Sequence, residues 1–574
     1  MPLTFGFSAS PKDEAAVNER LDALTRDRFV ERLWARDAAL WAGDLAGQAA
    51  VRGGLGWLRA PVAMTDALPD LLRFAAEAQQ AGYRQVLHMG MGGSSLAPLV
   101  FERTFPTAGG LRLSVLDTTD PATILAADRW AAGARTLFIV ASKSGTTAEP
   151  LAFGEYFYAK RQAASGDRAG EDFIVITDSG TPLARQAEER RYRRVFTNAP
   201  DVGGRYSALT YFGLVPAALA GVDLPRMLER AVGMAEACGP SDPPERNAGV
   251  RLGAIMGELA RRGRDKVTFI VSEAVATFGI WLEQLLAEST GKQGTGLLPV
   301  ADEPLGDVGA YGPDRLFVHL RRRGDTGEPV DGRLRALRSA GHPLIVVEMS
   351  DTIDVAPEFF RWEIATAAAG AILGINAFDQ PNVQESKDNT NRLLDVVRRE
   401  RRLPEPAASQ TDGTLAVYTD APGANVAATL AEFFRARRPG GYIALLAYLT
   451  EAPGTHRRLT AIRARLRDTT RLATTLGYGP RYLHSTGQYH KGGPANGLFL
   501  LITTDEPEDA AVPGQPYTFG VFKRAQALGD FEALRRHGQP ALRVHLRGPV
   551  EAALDRLEDL TAAALAVTRE FPAT

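Results

Sequence analysis

Cysteine is almost absent from this sequence: Cys238 is the single one among 574 residues. One cysteine excludes a disulfide within the chain and a cysteine-cluster metal site, which fits a reducing compartment, and we expect it to be a buried bystander. No apolar run approaches the ~18 residues that span a bilayer. The opening MPLTFGFSASPKDEAAVNER also lacks the basic and then apolar segments of a signal peptide. These absences predict a cytoplasmic protein without a membrane partner.

The sequence also lacks an excess of charge of either sign. Its 66 basic residues stand against 68 acidic ones, and its pI is near 6.5. Such a balance creates no long-range field for a polyanion, so we expect no nucleic-acid partner. An apolar content of 45% and a charged content of 23% are those of a globular protein. A chain of this length suggests roughly three domains.

Strand and helix signals alternate along most of the chain. The apolar spacing over residues 13–48 is helical, and short apolar strands separated by helices follow it. Such alternation predicts parallel sheets covered on both faces. A turn cluster at 239–247 and a linker at 403–413 interrupt the pattern. The predicted strands are 85–89, 112–116, 136–141, 173–177, 194–197, 267–272, 316–320, 344–348, 415–418, 442–448, 498–503 and 542–546.

A hydroxyl-rich turn after the strand at 136–141 is the first candidate site. The sequence SKSGTT spans Ser142 to Thr147, and Glu149 and Pro150 then open a predicted helix. Hydroxyls and free backbone N–H groups at a helix N-terminus favour an anion, so this turn is interpreted as a phosphate cradle. The competing interpretation is a serine- and threonine-rich cap with no ligand.

A glycine-rich loop, Gly90-Met-Gly-Gly-Ser-Ser95, follows the strand at 85–89. Ligands of parallel sheets sit beyond the carboxyl ends of the strands, where both loops lie. Glycines let the backbone approach such a ligand closely. The loop is not a dinucleotide fingerprint, because Ser95 occupies the position that needs glycine or alanine.

Three further clusters carry polar chemistry. Gln284 and Glu288 are four residues apart on a predicted helix that stops at Gly291, so an amide and a carboxylate share one face. A glycine pair exposes backbone beside Arg205, whose fixed charge suits an oxyanion. A polar pair ending in Gln380 precedes a helix that carries Lys387. Taken singly, Glu288 and Lys387 could both be ordinary surface charges.

Together these stretches resemble the phosphoglucose isomerase family, which is built from two sugar isomerase (SIS) domains. The motifs GMGGSSLAP, SKSGTTAEP, VGGRYS, QLLAESTGK and FDQPNVQESK occur in the family's order over roughly residues 85–390. The rest of the chain is similar to the isomerase part of fused transaldolase/phosphoglucose isomerase proteins, without room for the transaldolase barrel. The resemblance implies an α/β fold with two SIS-type parallel-sheet α/β/α sandwich domains plus a C-terminal α/β lobe. We expect a helical segment at 1–55, SIS domains at 56–240 and 241–405, and the lobe at 410–574.

The resemblance implies reversible isomerisation of D-glucose 6-phosphate and D-fructose 6-phosphate through a cis-enediol, in glycolysis and gluconeogenesis, with no cofactor and no metal. Glu288 is similar to the base that moves the proton between C2 and C1, and Arg205 to the arginine that stabilises the enediolate. Lys387 resembles the lysine that assists ring opening. Pro150 replaces a further phosphate-binding threonine of the family. The implied substrate-binding residues are Gly93, Ser94, Ser142, Lys143, Ser144, Thr147, Gly204, Gln284 and Gln380.

One feature departs from the family pattern. The family's ring-opening histidine normally lies between the glutamate and lysine motifs and comes from a neighbouring subunit, but residues 300–314 contain none. The matching pattern, LHSTGQY, instead surrounds His484. Our hypothesis is that the lobe at 410–574 presents His484 to the site of the same chain. The rivals are His342, interpreted as a turn residue, and His490, interpreted as a solvated neighbour of Lys491. His88 is interpreted as a packed histidine.

Two other classes of protein compete with an isomerase. A non-catalytic SIS-type regulator would keep the hydroxyl cradle but would need neither Glu288, Lys387 nor Arg205. A dinucleotide-dependent enzyme fails on the missing fingerprint. The partner predicted from the sequence is a small sugar phosphate. A site completed by one chain makes a monomer feasible, and a homodimer is compatible with the same sequence.

Overall fold

The computed structural model describes residues 5–106, 108–325 and 327–569. These residues form an α/β fold with three sheets. Before the first of them, the predicted helical stretch over 13–48 is broken into shorter helices, because Arg28 adopts a left-handed conformation with φ of 52°. The elements of this part are β1 (Phe5–Ser8), α1 (Pro11–Arg26), α2 (Phe29–Trp34), α3 (Leu45–Arg52) and α4 (Ala60–Gln80).

The first sheet is wholly parallel, with the order β3-β2-β4-β5-β6. All of its strands were predicted, since each is a short apolar run between helical signals. Its elements are β2 (Gln85–Met89), α5 (Leu96–Thr104), β3 (Arg112–Leu116), α6 (Pro121–Ala132), β4 (Thr136–Ala141), α7 (Ala148–Ser165), β5 (Phe173–Asp178), α8 (Pro182–Glu189), β6 (Arg194–Asn198), α9 (Tyr211–Ala220) and α10 (Leu224–Ala237).

The second sheet has the order β1-β10-β9-β7-β8 and is parallel except for β1, which pairs antiparallel with β10. The N-terminal strand thus completes this sheet rather than standing apart. Helix α14 is buried along nearly its whole length and packs against α11, which explains its largely apolar sequence. The elements are α11 (Ala248–Arg261), β7 (Lys266–Val271), α12 (Phe278–Thr290), β8 (Leu298–Val300), β9 (Arg315–Arg322), α13 (Val330–Ser339), β10 (Leu344–Met349), α14 (Val355–Leu373) and α15 (Val383–Glu400).

The third sheet, in the order β11-β12-β16-β15-β13-β14, is mixed. Its four strands from β16 to β14 are parallel, and β12 joins β16 antiparallel. Sequence patterns missed β14, a threonine-rich edge strand without a continuous apolar run. The elements are β11 (Gln410–Asp412), β12 (Leu415–Tyr418), α16 (Val426–Arg435), β13 (Tyr442–Tyr448), α17 (Pro453–Thr470), β14 (Ala473–Tyr478), α18 (Gly487–Gly492), β15 (Gly497–Thr504), α19 (Phe519–Arg536), β16 (Ala541–Leu546) and α20 (Val550–Arg569). We propose the division of the chain at 55, 240 and 405–410 given above.

Helix α17 docks the lobe onto the second sheet through buried arginines. The Arg463 guanidinium is 1% exposed and donates to the carbonyl oxygens of Ala301, Asp302 and Thr474. Arg467 is also buried and donates to the carbonyl oxygen of Pro304. The charges of this helix, spaced among apolar residues at helical period, predict a solvated face, and that prediction is wrong for the side that meets residues 301–304. Helical spacing could not reveal this contact, because it depends on a partner about 160 residues away in sequence.

Arg463→Met should lower the free energy of unfolding by about 3 kcal/mol, because several buried carbonyl groups lose their donors. Urea titration followed by circular dichroism measures this change. The matched control is Arg465→Met on the same helix, where the side chain is 47% exposed and pairs with Glu558. Its effect should stay within about 0.5 kcal/mol. Equal losses for the two variants would contradict a docking role for Arg463.

Candidate active site

The hydroxyl-rich turn lies where β4 ends and α7 begins. Gly145 has φ of 65°, and a Cβ there would come within 2.7 Å of the Thr181 Cβ, so the turn requires glycine at this point. The Ser142 hydroxyl donates to the Thr147 hydroxyl over 3.1 Å. Ser144 and Thr146 form a second hydroxyl pair at 2.9 Å. These groups stand at the N-terminus of α7, where unpaired backbone N–H groups favour an anion.

Two residues limit the contacts that this turn can make with a ligand: Lys143 within it and Pro150 shortly after it. The Lys143 ammonium pairs with the Asp178 carboxylate and donates to the carbonyl oxygen of Pro200 over 3.1 Å. In this structure that ammonium is therefore already held by two oxygen acceptors. Pro150 is buried in the first turn of α7, where it offers neither a hydroxyl nor an N–H.

The glycine-rich loop makes two close backbone approaches. A Cβ on Gly93 would lie 2.1 Å from the carbonyl group of Gly204, so the two loops touch through backbone alone. A Cβ on Gly92 would lie 2.8 Å from the Gln284 amide nitrogen and 2.9 Å from the His484 carbonyl oxygen. Ser94 completes the loop with its side chain buried. The loop therefore contacts three parts of the protein at one place: the turn that carries Gly204 and Arg205, helix α12 and the C-terminal lobe.

Glu288 lies near the end of α12, and the expected pairing with Gln284 is present. The Gln284 amide donates to Glu288 Oε2 over 3.0 Å and to the carbonyl oxygen of His484 over 2.8 Å. The Arg205 Nη1 atom lies 3.4 Å from Glu288 Oε1. The Glu288 side chain is 12% exposed and is therefore mostly shielded from solvent. A carboxylate held between an amide and a guanidinium suits proton transfer beside a developing negative charge.

The Arg205 guanidinium, 3% exposed, is held by acceptors from two segments, α12 and residues 377–380. Its Nε atom donates to the Ser289 hydroxyl over 2.7 Å, and Nη1 donates to Gln380 Oε1 over 2.9 Å. Its Nη2 atom donates to the carbonyl oxygens of Ala377 and Asp379. These bonds fix the arginine plane and bring Gln380 into the same site as Glu288.

Lys292 was not singled out from the sequence, although it ends the ESTGK motif. Its ammonium is buried, lies 2.8 Å from Asp379 Oδ1 and donates to the carbonyl oxygen of Asp379, which also accepts from Arg205. Burial, with the nearby Arg205 charge, lowers the pKa of Lys292 to about 7. The lysine thus supports the segment that carries Gln380. Its position just after the glycine stop of α12 was the available signal.

His484 lies at the end of a short turn of the lobe and reaches the first domain. Its Nε2 atom is 2.9 Å from Oε1 of Glu149, in the first turn of α7. Burial raises the pKa of the Glu149 carboxyl, but the charge and hydrogen bond of His484 outweigh it, so the pKa stays below its usual value. The same chain therefore supplies His484 to this place. Glu149, noted in the sequence only as a helix opener, is the partner that sequence reasoning missed.

An open cleft with a volume of about 230 Å³ lies beside Glu149 and His484. Its walls come from the start of α7, from α15 and from the lobe. Lys387 projects from α15 into this lining and contributes to lowering the pKa of Glu149. Residues along the walls are Thr146, Thr147, Glu149, Lys387, His484 and Gln526.

The other histidines lie elsewhere. His342 packs edge-on against Phe317, with ring centroids 5.3 Å apart, and burial lowers its pKa. His490 is 1% exposed among the aromatic rings of the lobe, so its interpretation as a solvated neighbour of Lys491 is wrong. His88 is packed as predicted, and burial lowers its pKa to about 4. Cys238 is buried too, which raises the pKa of its thiol to about 12.

Within residues 5–106, 108–325 and 327–569, no helix is long and apolar enough to cross a membrane. The same described residues contain no group of three or more His, Cys, Asp or Glu side chains arranged to hold a metal ion.

The parallel sheets and the hydroxyl cradle at their strand ends define a sugar isomerase (SIS) protein. A model of the phosphoglucose isomerase family matches residues 76–303. Glucose-6-phosphate isomerase of Synechococcus sp. (strain JA-3-3Ab) is 30% identical over 428 residues, which cover 64% of this chain and 80% of that protein. The chain belongs to the phosphoglucose isomerase family.

Further relatives agree with this assignment. Glucose-6-phosphate isomerase of Rubrobacter xylanophilus is 29% identical over 384 residues, 58% of this chain and 87% of that protein. Among solved structures, a glucose-6-phosphate isomerase from Chlamydia trachomatis aligns with a TM-score of 0.54 and 19% identity, over 68% of this chain and 89% of that one. At this identity the structural match supports the fold alone.

Proposed function

We propose that the protein interconverts D-glucose 6-phosphate and D-fructose 6-phosphate through a cis-enediol intermediate. The observation that carries the proposal is the Glu288 carboxylate, which contacts the Gln284 amide and the Arg205 guanidinium. The same amide contacts the backbone of His484, whose ring reaches Glu149 in the first turn of α7. A phosphate-binding regulator needs the helix N-terminus but has no use for a base aligned with an arginine. The isomerase is therefore the favoured function.

Substrate binding begins with the phosphate. Hydroxyls of Ser142, Ser144 and Thr147, with the N–H groups of the turn and of the loop at Gly93 and Ser94, would hold the phosphate oxygens. Lys143 would add positive charge from the side, paired as it is with Asp178. The amide groups of Gln284 and Gln380 would bind the sugar hydroxyls. The close packing of Gly204 on Gly93 would hold the turn that carries Arg205 against the substrate.

Chemistry follows in two stages. Ring opening breaks the C1–O5 bond of the aldose, and His484 and Lys387 in the cleft would supply and remove the protons. Glu288 then removes the proton on C2 and returns it to C1, and the hydroxyl proton passes from O2 to O1, so that the carbonyl group moves from C1 to C2. Arg205 stabilises the negative charge of the enediolate between these transfers. The half-buried position of Glu288 keeps bulk water away from the intermediate. No step needs a metal or a cofactor.

We further propose that the enzyme acts in the cytoplasm, in glycolysis and gluconeogenesis. Since every proposed side chain comes from one chain, a monomer suffices for activity, and a homodimer is compatible with it. The partner is the sugar phosphate itself, with no nucleic acid and no membrane.

Incubation with fructose 6-phosphate in D₂O tests the reaction. We expect deuterium at C2 of the glucose 6-phosphate formed, because the proton on Glu288 exchanges with solvent during its transfer. Proton NMR of the product measures the loss of the C2 signal. Binding of the sugar phosphate without exchange or product would favour the regulator instead. The same measurement with mannose 6-phosphate determines whether the C2 epimer is accepted.

A further inference from the structure

Glu149 has a second partner, which comes from the C-terminal lobe. Gln526, on α19, is 2% exposed, and its amide nitrogen donates to Oε1 of Glu149 over 2.7 Å. The same carboxylate oxygen lies 2.9 Å from Nε2 of His484. The lobe therefore supplies both the histidine and an amide that contacts the histidine's carboxylate.

The orientation of this amide is set by a third residue. Thr119, buried just beyond the carboxyl end of β3, donates its hydroxyl proton to Oε1 of Gln526 over 2.7 Å. Because the amide oxygen accepts from Thr119, the NH₂ end faces Glu149. One turn earlier on α19, Lys523 pairs with Asp120 of the same segment. Two polar contacts thus hold α19 against the first domain at this point.

Two N–H donors on one carboxylate oxygen favour its charged form. A charged Glu149 accepts from Nε2 and so orients His484, which leaves the other ring nitrogen, Nδ1, to exchange a proton with a ring oxygen in the cleft. Without the amide, the carboxylate would be free to rotate and would accept a proton more readily. The ionisable groups that surround the contact are His484, Lys387 of α15, Lys523 with Asp120 and Glu506, and Asp530 with Lys491.

We propose that Gln526 is a positioning residue for ring opening, which holds Glu149 charged and aimed at His484. This inference rests on the proposed function and deepens it. The residue touches no reacting atom, and it acts through Glu149. It also gives the lobe a second task beside the delivery of His484.

Anomerisation of glucose 6-phosphate isolates the ring-opening stage. Opening breaks the C1–O5 bond, protonates O5 and removes the proton from O1, and closure on the other face of C1 yields the other anomer. No proton leaves C2, so the reaction can be followed in a Glu288→Gln background that does not isomerise. Magnetisation-transfer NMR between the two anomers measures its rate.

In that background, Gln526→Leu should slow enzyme-dependent anomerisation about tenfold, since one charged hydrogen bond is lost. Binding of 6-phosphogluconate, an open-chain sugar phosphate, should change less than twofold. Gln539→Leu is the matched control, because this glutamine is also buried in the lobe but donates to the carbonyl oxygen of His490. It should lower the melting temperature and leave anomerisation unchanged.

The pH dependence of anomerisation in Gln526→Glu distinguishes a positioning role from a purely structural one. At low pH the new carboxyl is neutral and can donate to Glu149, whereas at higher pH its charge repels the carboxylate. Anomerisation relative to the parent should therefore fall as pH rises. A pH-independent ratio, an unchanged rate in Gln526→Leu, or loss of 6-phosphogluconate binding in that variant would each overturn the inference. If the wild-type protein exchanges no deuterium at C2, the proposed function fails instead.

Discussion

Glu288→Gln should lower kcat for isomerisation at least about 10³-fold, because an amide cannot take the proton from C2. The substitution keeps the size of the side chain and a hydrogen-bonding group beside Gln284 and Arg205, so the binding of 6-phosphogluconate should change little. Product formation in quenched samples and deuterium exchange at C2 measure the loss of isomerase activity. Anomerisation should persist, since it needs no transfer at carbon.

The matched control is Glu283→Gln, one residue earlier on α12. Its carboxyl faces a different cavity, which is lined by Asp302, His456 and Tyr478, and burial raises its pKa to about 8. Activity of this variant should stay within twofold of wild type. An isomerase rate above one tenth of wild type in Glu288→Gln would remove Glu288 from the role of base.

His484→Ala should slow anomerisation about 10²-fold and reduce isomerisation of cyclic substrate to the rate set by spontaneous ring opening. The physical reason is that the variant lacks the imidazole, beside Glu149, that exchanges protons with the ring oxygen of the sugar. Magnetisation-transfer NMR and a steady-state assay measure the two rates. His456→Ala is the control, because this histidine also belongs to the lobe but pairs with Asp302 outside the cleft.

Mixing the His484→Ala and Glu288→Gln proteins separates two arrangements of the site. When one chain supplies both residues to its own site, every site in the mixture lacks one of them, and activity stays at the level of the separate variants. Recovery of activity on mixing would mean that the histidine comes from a neighbouring chain. Anomerisation as fast as wild type in His484→Ala would move the ring-opening role to another residue.

Local sequence patterns predicted much of the candidate active site. Strand β4 is an apolar run followed by small polar residues, and β2 is a short, largely apolar run followed by glycines, so the positions of the two loops followed from chain direction. The spacing of Gln284 and Glu288 placed both on one helix face, and their contact is present in the structure. Gly291 ends the helix as expected.

Local sequence patterns did not predict contacts between segments that are far apart in the chain. Gln526 lies 377 residues from Glu149 in sequence, and no local pattern marks this glutamine of α19 as different from its neighbours. The Arg463 contacts and the antiparallel β1 strand are missed for the same reason. Lys143 shows the converse, since the motif predicts a substrate contact while the fold places Asp178 beside its ammonium.

The order of strands and loops, the chemistry of the motifs and the family were determined by the sequence itself, because each depends on residues that are close together along the chain. Only the tertiary structure decided that the C-terminal lobe lies across the first domain and brings His484 and Gln526 to Glu149. That placement depends on packing and buried charge between segments far apart in sequence, which neither periodicity nor composition records.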